Sequence, residues 1–297
     1  MLIIKYSMKE MEKSMAIIID GKELAKKIRE GLKEEVVALK EKGISPKLAV
    51  IMVGDNPASK VYVRNKSKAC NDVGIEYEEF LLDRNTSMEE LLNVIEDLNK
   101  REDIHGILLQ SPIPDGLDIY KAFETIDYRK DVDGFNPINI GRLALNRQTF
   151  ISCTPYGIIK MLEEYDINLK GANVVVLGRS NIVGKPLVQC LLNKDATVTI
   201  CHSKTKNIED VTKNADVLIS AIGQPKFVKE NMVKENAVII DVGINRTEEG
   251  LIGDVDYENV INKVSHITPV PGGVGPMTIA MLLNNVIIAA KYLQLDN

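Results

Sequence analysis

Apolar runs of strand length alternate with longer amphipathic segments through the first half of the chain. The apolar runs are bounded by glycine or polar residues, which favours strands that are buried on both faces. Ser59 is a good N-cap for the second of the longer segments, and Gly74 lies just past its end. The pattern predicts helices over 21–42, 59–72 and 87–100, and strands over 48–53, 75–82 and 104–110. This order predicts a βαβαβ unit with a parallel sheet.

The second half resumes the alternation after a linker region over 134–154. A helix is predicted to begin near Pro155, and the predicted strands lie over 173–177, 196–201, 216–221 and 237–242. The last predicted helix, 277–294, is strongly apolar, so we expect it to cross back and bury itself on the first half. We predict two α/β domains flanking a cleft. The first spans 15–152 and is completed by the C-terminal helix 280–297, and the second is a Rossmann-like doubly wound parallel sheet over 153–279.

A glycine turn follows the apolar run Asn173 to Leu177, at Gly178. A buried strand, a glycine turn and a helix that begins near Val183 predict an anion site, because the N–H groups at the start of a helix are unpaired. The spacing is not the usual G-x-G-x-x-G, since Ser180 stands where the second glycine would be. An ordinary βα turn is the alternative.

The residues after the next strand indicate which dinucleotide such a site prefers. An NAD site calls for an acidic residue there, but the chain has no carboxylate between Cys201 and Glu209. Arg179 in the glycine turn and Ser203 suit a 2′-phosphate, because guanidinium binds phosphate oxygens in a bidentate fork. We therefore predict NADP as cofactor. The alternative for His202, Ser203 and Lys204 is a solvated loop.

Candidate catalytic groups lie in the first half. Tyr62 and Lys66 are four residues apart on one helical face, near the carboxyl end of a buried strand, where open α/β sheets bind ligands. Burial would lower the pKa of such a lysine and make it a general base or polarising group. The alternative is a solvated helix face, since Lys60, Arg64 and Lys68 lie on the same segment.

Two further polar segments end apolar stretches and could face the same cleft, and a glycine-rich loop leads into the last helix. Gln110 ends the third strand, and the carboxylate of Asp133 beside a glycine turn could accept hydrogen bonds from an amino-pyrimidine ring. A turn-stabilising role is the commoner use of such an aspartate. The glycines after Pro271, Gly272 and Gly273 among them, permit backbone close to a ligand, although they also suit a tight interdomain hinge.

Composition limits the partners of the chain. Its 297 residues suffice for two domains, and 45% hydrophobic with 27% charged residues is typical of a soluble globular protein. The net charge of −5 argues against nucleic-acid and anionic-membrane partners, because nothing would neutralise phosphates in bulk. No apolar stretch is expected to reach the roughly 18 residues of a membrane span. Residues 1–14 are too charged for a signal peptide, and we interpret them as an extension upstream of a start at Met15.

The cysteines and histidines do not indicate a metal site. The four cysteines form no C-x-x-C pair, and the three histidines are far apart in sequence. We therefore predict no metal and expect buried free thiols in a reducing cytoplasm.

Taken together, the ordered motifs resemble the bifunctional methylenetetrahydrofolate dehydrogenase/cyclohydrolase family. The resemblance runs from about residue 19 to 290. It depends on the motifs Tyr62-x-x-x-Lys66-x-x-Ala69-Cys70, Gly106-Ile107-Leu108-x-Gln110, Lys130-Asp131-Val132-Asp133-Gly134-Phe135, Gly178-Arg179-Ser180-x-x-Val183-Gly184-x-Pro186 and Pro271-Gly272-Gly273-Val274-Gly275-Pro276. The resemblance implies oxidation of 5,10-methylenetetrahydrofolate with NADP and hydrolysis of the methenyl product to 10-formyltetrahydrofolate.

The resemblance also implies residue roles. Lys66 would be the key catalytic group, oriented by Gln110 and Tyr62, and Asp133 would hold the pterin. The loop at Pro271, Gly272 and Gly273 would border the folate together with Tyr62. The expected cofactor-binding residues are Gly178, Arg179, Ser180, Gly184, Ser203 and Ile244, with Arg179 and Ser203 on the 2′-phosphate.

The resemblance further suggests a cytoplasmic homodimer, joined through the dinucleotide domains, in one-carbon metabolism and purine biosynthesis. Two alternatives stay open at this point. One is another NADP-dependent two-domain dehydrogenase of the amino-acid or shikimate kind, and the other is a non-catalytic dinucleotide-sensing module.

Overall fold

The computed structural model describes residues 15–248 and 250–292. The segment 1–14, interpreted above as an extension, lies outside the described residues, as do the last residues of the predicted C-terminal helix.

Within the described residues, strands and helices alternate along most of the chain. The strands are β1 (Ile17–Ile18), β2 (Lys47–Val53), β3 (Glu76–Leu82), β4 (Gly106–Leu109), β5 (Asn173–Leu177), β6 (Thr197–Cys201), β7 (Val217–Ser220), β8 (Val238–Asp241), β9 (Asn245–Thr247), β10 (Gly250–Ile252) and β11 (His266–Ile267). The helices are α1 (Gly21–Glu41), α2 (Pro57–Val73), α3 (Met88–Lys100), α4 (Ile119–Thr125), α5 (Pro137–Ala144), α6 (Cys153–Glu164), α7 (Gly184–Leu192), α8 (Ile208–Thr212), α9 (Tyr257–Val260) and α10 (Val274–Tyr292).

Two parallel sheets form the framework. The first has the order β3-β2-β4, and the second has the order β1-β11-β8-β7-β5-β6. Strands β2, β4, β5, β7 and β8 are almost wholly buried, as their apolar runs predict. The predicted α/β class is confirmed, and β9 and β10 add a separate two-stranded antiparallel sheet.

Two elements cross between the halves of the chain. Strand β1 precedes the first sheet in sequence but pairs with β11 of the second sheet. Helix α10 packs on α1 and α6 and also contacts β4. The division at 15–152 and 153–279 stays a prediction.

Helix α10 corrects the expectation about apolar length. By length and composition alone its 19 residues could cross a membrane. Most of the helix is buried inside the protein, and the amide of Asn285 is hydrogen-bonded to backbone of the first half. Such burial identifies α10 as a core helix of the fold.

Local interactions set two boundaries that the sequence analysis placed differently. Helix α2 is capped by Asn56, whose Oδ1 accepts hydrogen bonds from the N–H groups of Ala58 and Ser59 at 3.0 and 3.1 Å. Ser59 is therefore not the N-cap, because Pro57 already begins the helix. The predicted linker over 134–154 contains α5, capped in the same way by Asn136.

Candidate active site

Lys66 and Gln110 meet at the carboxyl edge of the first sheet. Helix α2 follows β2 and carries Lys66, while Gln110 comes directly after β4. Lys66 Nζ donates a hydrogen bond of 2.9 Å to Gln110 Oε1, and Gln110 Nε2 donates one of 2.7 Å to the Ser111 carbonyl. The second bond holds the amide so that its oxygen faces the lysine.

Asp133 supplies the opposite charge in this pocket. Burial lowers the pKa of Lys66, and the negative charge of Asp133 partly opposes this change. Burial likewise raises the pKa of Asp133, against the opposing effect of Lys66 and of the neighbouring Cys153 thiol. The direction for Lys66 agrees with the expectation from its position. Both side chains are half-buried, so the pair lies at the border between protein and solvent.

The turn beside Asp133 is made by another aspartate. Asp131 is 1% exposed, and its carboxylate accepts hydrogen bonds from the N–H groups of Gly134 and Asn136 and from the amide of Asn139, at 3.1, 2.7 and 2.9 Å. Burial raises the pKa of Asp131 to about 6. The turn-stabilising role considered for Asp133 therefore belongs to Asp131. The signal was available in the sequence, since an aspartate three residues before a glycine is typical of a type I turn.

Helix α10 fixes the backbone around Asp133. Asn285 Nδ2 donates hydrogen bonds to the Val132 carbonyl at 2.8 Å and to the Ile151 carbonyl at 3.0 Å. The Cys153 thiol donates to the same Val132 carbonyl at 3.4 Å. Sequence reasoning missed Asn285, although a buried asparagine in a strongly apolar helix indicates a hydrogen-bonding role.

Tyr62 occupies a different environment from Lys66. It lies one helical turn earlier on α2, with 42% of its surface exposed. The structure therefore brings Lys66, Gln110 and Asp133 together and leaves Tyr62 at the surface of the same helix.

The glycine turn between β5 and α7 depends on close backbone approach. Gly178 has φ of +109°, and a Cβ there would overlap the Ala221 carbonyl oxygen. A Cβ on Gly184 would overlap the carbonyl oxygen of Gly178. Both positions require glycine for steric reasons.

Ser180 organises the start of α7. Its Oγ accepts hydrogen bonds from the N–H groups of Val183 at 3.1 Å and Gly184 at 3.3 Å. These two groups are thus not free for an anion, which corrects that part of the expectation. A hydroxyl that accepts in this way still has its own O–H to donate to a phosphate.

Two cavities contain the other predicted binding residues. Gly178, Arg179 and Ser203 line a cavity of about 320 Å³ at the carboxyl ends of β5, β6 and β7. Ile244 lines a cavity of about 130 Å³ with the loop from Pro269 to Pro276, which includes Pro271, Gly272 and Gly273.

The proline and glycine loop is anchored on α1. The Gly272 carbonyl accepts a hydrogen bond of 2.9 Å from the N–H of Lys22, and a Cβ on Gly21 would overlap the Gly273 carbonyl oxygen. The loop thus lies against the start of α1, close to where α10 begins.

Side chains of the first half also hold the glycine turn. Ser152 Oγ donates a hydrogen bond of 2.8 Å to the Ile182 carbonyl, and Asn181 Nδ2 donates one of 2.9 Å to the Tyr120 hydroxyl. The backbone of Ser152 in turn packs against Gly134, next to Asp133. The two candidate sites are thus joined by a short chain of contacts.

Two parallel α/β sheets, a dinucleotide-type turn and a lysine pocket beside it define a two-domain dehydrogenase. The family model for the catalytic domain of tetrahydrofolate dehydrogenase/cyclohydrolase matches residues 19–133, and the model for the NAD(P)-binding domain of the same enzymes matches residues 152–294. The chain belongs to the tetrahydrofolate dehydrogenase/cyclohydrolase family.

Individual relatives agree with this assignment. The bifunctional protein FolD of Halalkalibacterium halodurans is 55% identical over 276 residues, which cover 93% of this chain and 99% of that protein. A crystal structure of the bifunctional enzyme FolD from Campylobacter jejuni has a TM-score of 0.92 at 50% identity, covering 93% of this chain and 99% of that one. A Trypanosoma brucei structure complexed with NADP and an inhibitor has a TM-score of 0.90 at 37% identity, covering 94% and 98%.

Membership of the family confirms the expected enzyme class, a bifunctional dehydrogenase and cyclohydrolase. The two alternatives, a different two-domain dehydrogenase and a non-catalytic sensor, are set aside.

Proposed function

We propose that this chain oxidises 5,10-methylenetetrahydrofolate to the 5,10-methenyl form with NADP and hydrolyses that product to 10-formyltetrahydrofolate. The observation that carries the proposal is the contact between Lys66 and Gln110, with Asp133 in the same pocket at the sheet edge. Family membership supports both reactions.

The second half of the chain has the features of an NADP site. Gly178 and Gly184 let the backbone of the turn pack tightly against itself and against Ala221, which shapes the turn beside the cavity lined by Gly178 and Arg179. Arg179 and Ser203 line one cavity and suit a 2′-phosphate, and the next carboxylate after β6 is Glu209. Bound NADP supplies the hydride acceptor.

For the hydride step this chain mainly provides alignment. Ser180 fixes the turn, and Ile244 lies with Pro271, Gly272 and Gly273 around a common cavity. We assign Ile244 to the cofactor and the loop residues to the folate, so that the reacting atoms meet beside this loop.

The hydrolysis step needs a group that handles a proton. Water adds to the methenyl carbon, and a lysine of lowered pKa can accept or return the proton at its Nζ. Gln110 orients that nitrogen through the 2.9 Å bond. Asp133 accepts hydrogen bonds from the amino-pyrimidine ring of the pterin, and exposed Tyr62 covers the folate from the surface of α2.

The setting of the enzyme is part of the same proposal. A cytoplasmic homodimer, joined through the dinucleotide domains, would supply one-carbon units for purine biosynthesis. Support for the cytoplasmic setting comes from four cysteines that are buried and free, as in a reducing compartment.

One assay with purified protein tests the reaction. Methylenetetrahydrofolate and NADP are supplied, and formation of reduced cofactor and decay of methenyltetrahydrofolate are followed separately. Reduced cofactor followed by methenyl decay faster than the buffer blank is the expected result. Absence of either signal would refute the corresponding activity.

A further inference from the structure

A buried carboxylate lies behind the cofactor cavities. Asp254 follows β10 and is 0% exposed. Its carboxylate accepts five hydrogen bonds. The donors are the N–H groups of Ile222, Gly223 and Gln224 at 2.9, 3.2 and 2.9 Å, Ser220 Oγ at 3.2 Å and Asn245 Nδ2 at 3.1 Å.

These donors belong to two walls of the cofactor site. Ile222 and Gln224 line the cavity that contains Arg179. Asn245 directly follows Ile244, which lines the second cavity with the proline and glycine loop. One side chain therefore joins the segment after β7 to the segment after β8.

The surroundings of Asp254 suit a carboxylate. A Cβ on Gly243 would overlap its Oδ1, so the carboxylate occupies the space that glycine leaves. The N–H of Asp254 donates to Asp241 Oδ1 at 2.9 Å, which fixes the backbone as well. A carboxylate only accepts hydrogen bonds, whereas an asparagine would turn an NH₂ group toward N–H donors.

We propose that Asp254 is a positioning residue that holds the loop 222–224 in its cofactor-binding conformation before the cofactor arrives. The inference rests on the proposed NADP-dependent function. A loop that is already ordered loses less conformational entropy on binding than a loop released from Asp254. Because Asp254 acts on the loop and not on the 2′-phosphate, NADP and NAD depend on it equally. The hydrolysis at Lys66 does not depend on Asp254.

Asp254→Asn is the informative variant, with Asp256→Asn as its matched control. Asp256 is two residues further on and bonds to Lys229 and Asn259 instead. The dissociation constants of NADP and NAD are measured by titration, together with the KM and kcat of the dehydrogenase and the cyclohydrolase rate without cofactor. Thermal melts confirm folding.

We expect both dissociation constants to rise by a similar factor of at least about ten in Asp254→Asn, since buried donors lose their acceptor. The kcat at saturating NADP, the KM for folate and the cyclohydrolase rate should stay within about twofold of wild type. The Asp256→Asn control should match wild type in every measurement.

Unchanged cofactor affinity in the folded variant, a loss confined to NADP, or a parallel loss of cyclohydrolase activity would each overturn the proposal. If Asp254→Asn does not fold, Asn245→Ala removes the side-chain donor that helps to fix Asp254 Oδ1, the oxygen that also accepts the Gln224 N–H, and so loosens this loop contact. This variant must then weaken the binding of NADP and NAD by a similar factor, and unchanged affinities would overturn the proposal. Wild-type protein that binds no NADP would refute the proposed function itself, whatever the variants do.

Discussion

The Lys66 pocket and the glycine turn are held by different kinds of interaction. In the pocket, side chains with shifted pKa values face one another, and Asn285 and Asp131 fix the backbone behind them. In the turn, backbone atoms pack so closely that only glycine fits at Gly178 and Gly184. The first arrangement suits proton transfer, and the second suits the alignment of a bound cofactor.

This difference predicts that the two activities can be separated by mutation. A change in the pocket should affect hydrolysis through chemistry, whereas a change at the turn should affect the dehydrogenase through cofactor affinity. The contact of Ser152 with Ile182 joins the two regions mechanically, but it moves no charge between them.

The largest effect is expected for Lys66→Met. Methionine has roughly the volume of the lysine stem and is a good helix former, so folding and NADP binding should survive. Cyclohydrolase activity should fall by about 10²–10⁴-fold, the range for loss of a general acid or base, and the dehydrogenase should lose distinctly less. Exposed Lys68 on the same helix offers the control Lys68→Met, which should leave both rates unchanged. Equal losses of the two activities would contradict the separation.

The next effect concerns two aspartates with different roles. Asp133→Ala should raise the activation free energy of both reactions by about 2–5 kcal/mol, because both reactions are proposed to use one folate pocket. Asp131→Ala should instead lower the free energy of unfolding by at least about 1–3 kcal/mol, since it leaves the buried donors of Gly134, Asn136 and Asn139 unpaired. Steady-state kinetics and urea unfolding of both variants check this. The assignment fails if Asp133→Ala keeps wild-type folate kinetics.

The smallest effect is expected for Arg179→Ala. NADP binding should weaken by about 1.5–3 kcal/mol, the range for a hydrogen bond to a charged group, while NAD binding stays nearly unchanged. NAD is thus the internal control, and titration of the two cofactors measures the difference. A similar loss for both would remove the 2′-phosphate role.

The strands and the glycine turn could be predicted because their signals are local. A buried parallel strand is a short apolar run whatever lies around it, and the predicted strand over 173–177 agrees with β5 at Asn173–Leu177. The capping box formed by Ser87 and Glu90, which caps the N-terminus of α3, is equally local.

What the sequence analysis missed depends on distant contacts. Helices α4 and α5 have 7 and 8 residues and lack a long apolar period, and Asn136 holds this region through carbonyls near the end of α4. Strand β1 forms only because β11 lies beside it. The partners of Asn285 lie 153 and 134 residues away, and the loop partners of Asp254 lie 30 to 32 residues away, so the sequence pattern does not show which groups either side chain contacts.

The central claim is that the Lys66 amine handles a proton, and Lys66→Arg tests it most directly. Arginine keeps the positive charge beside Asp133 and can donate to Gln110, but it does not lose its proton in proteins. The measurement is the cyclohydrolase rate of the folded variant across neutral pH, with its dehydrogenase rate as evidence that folate still binds. The account predicts that hydrolysis stays as low as in Lys66→Met while the dehydrogenase keeps most of its activity. Hydrolysis near the wild-type rate would show that Lys66 serves only as a countercharge, and would contradict the account.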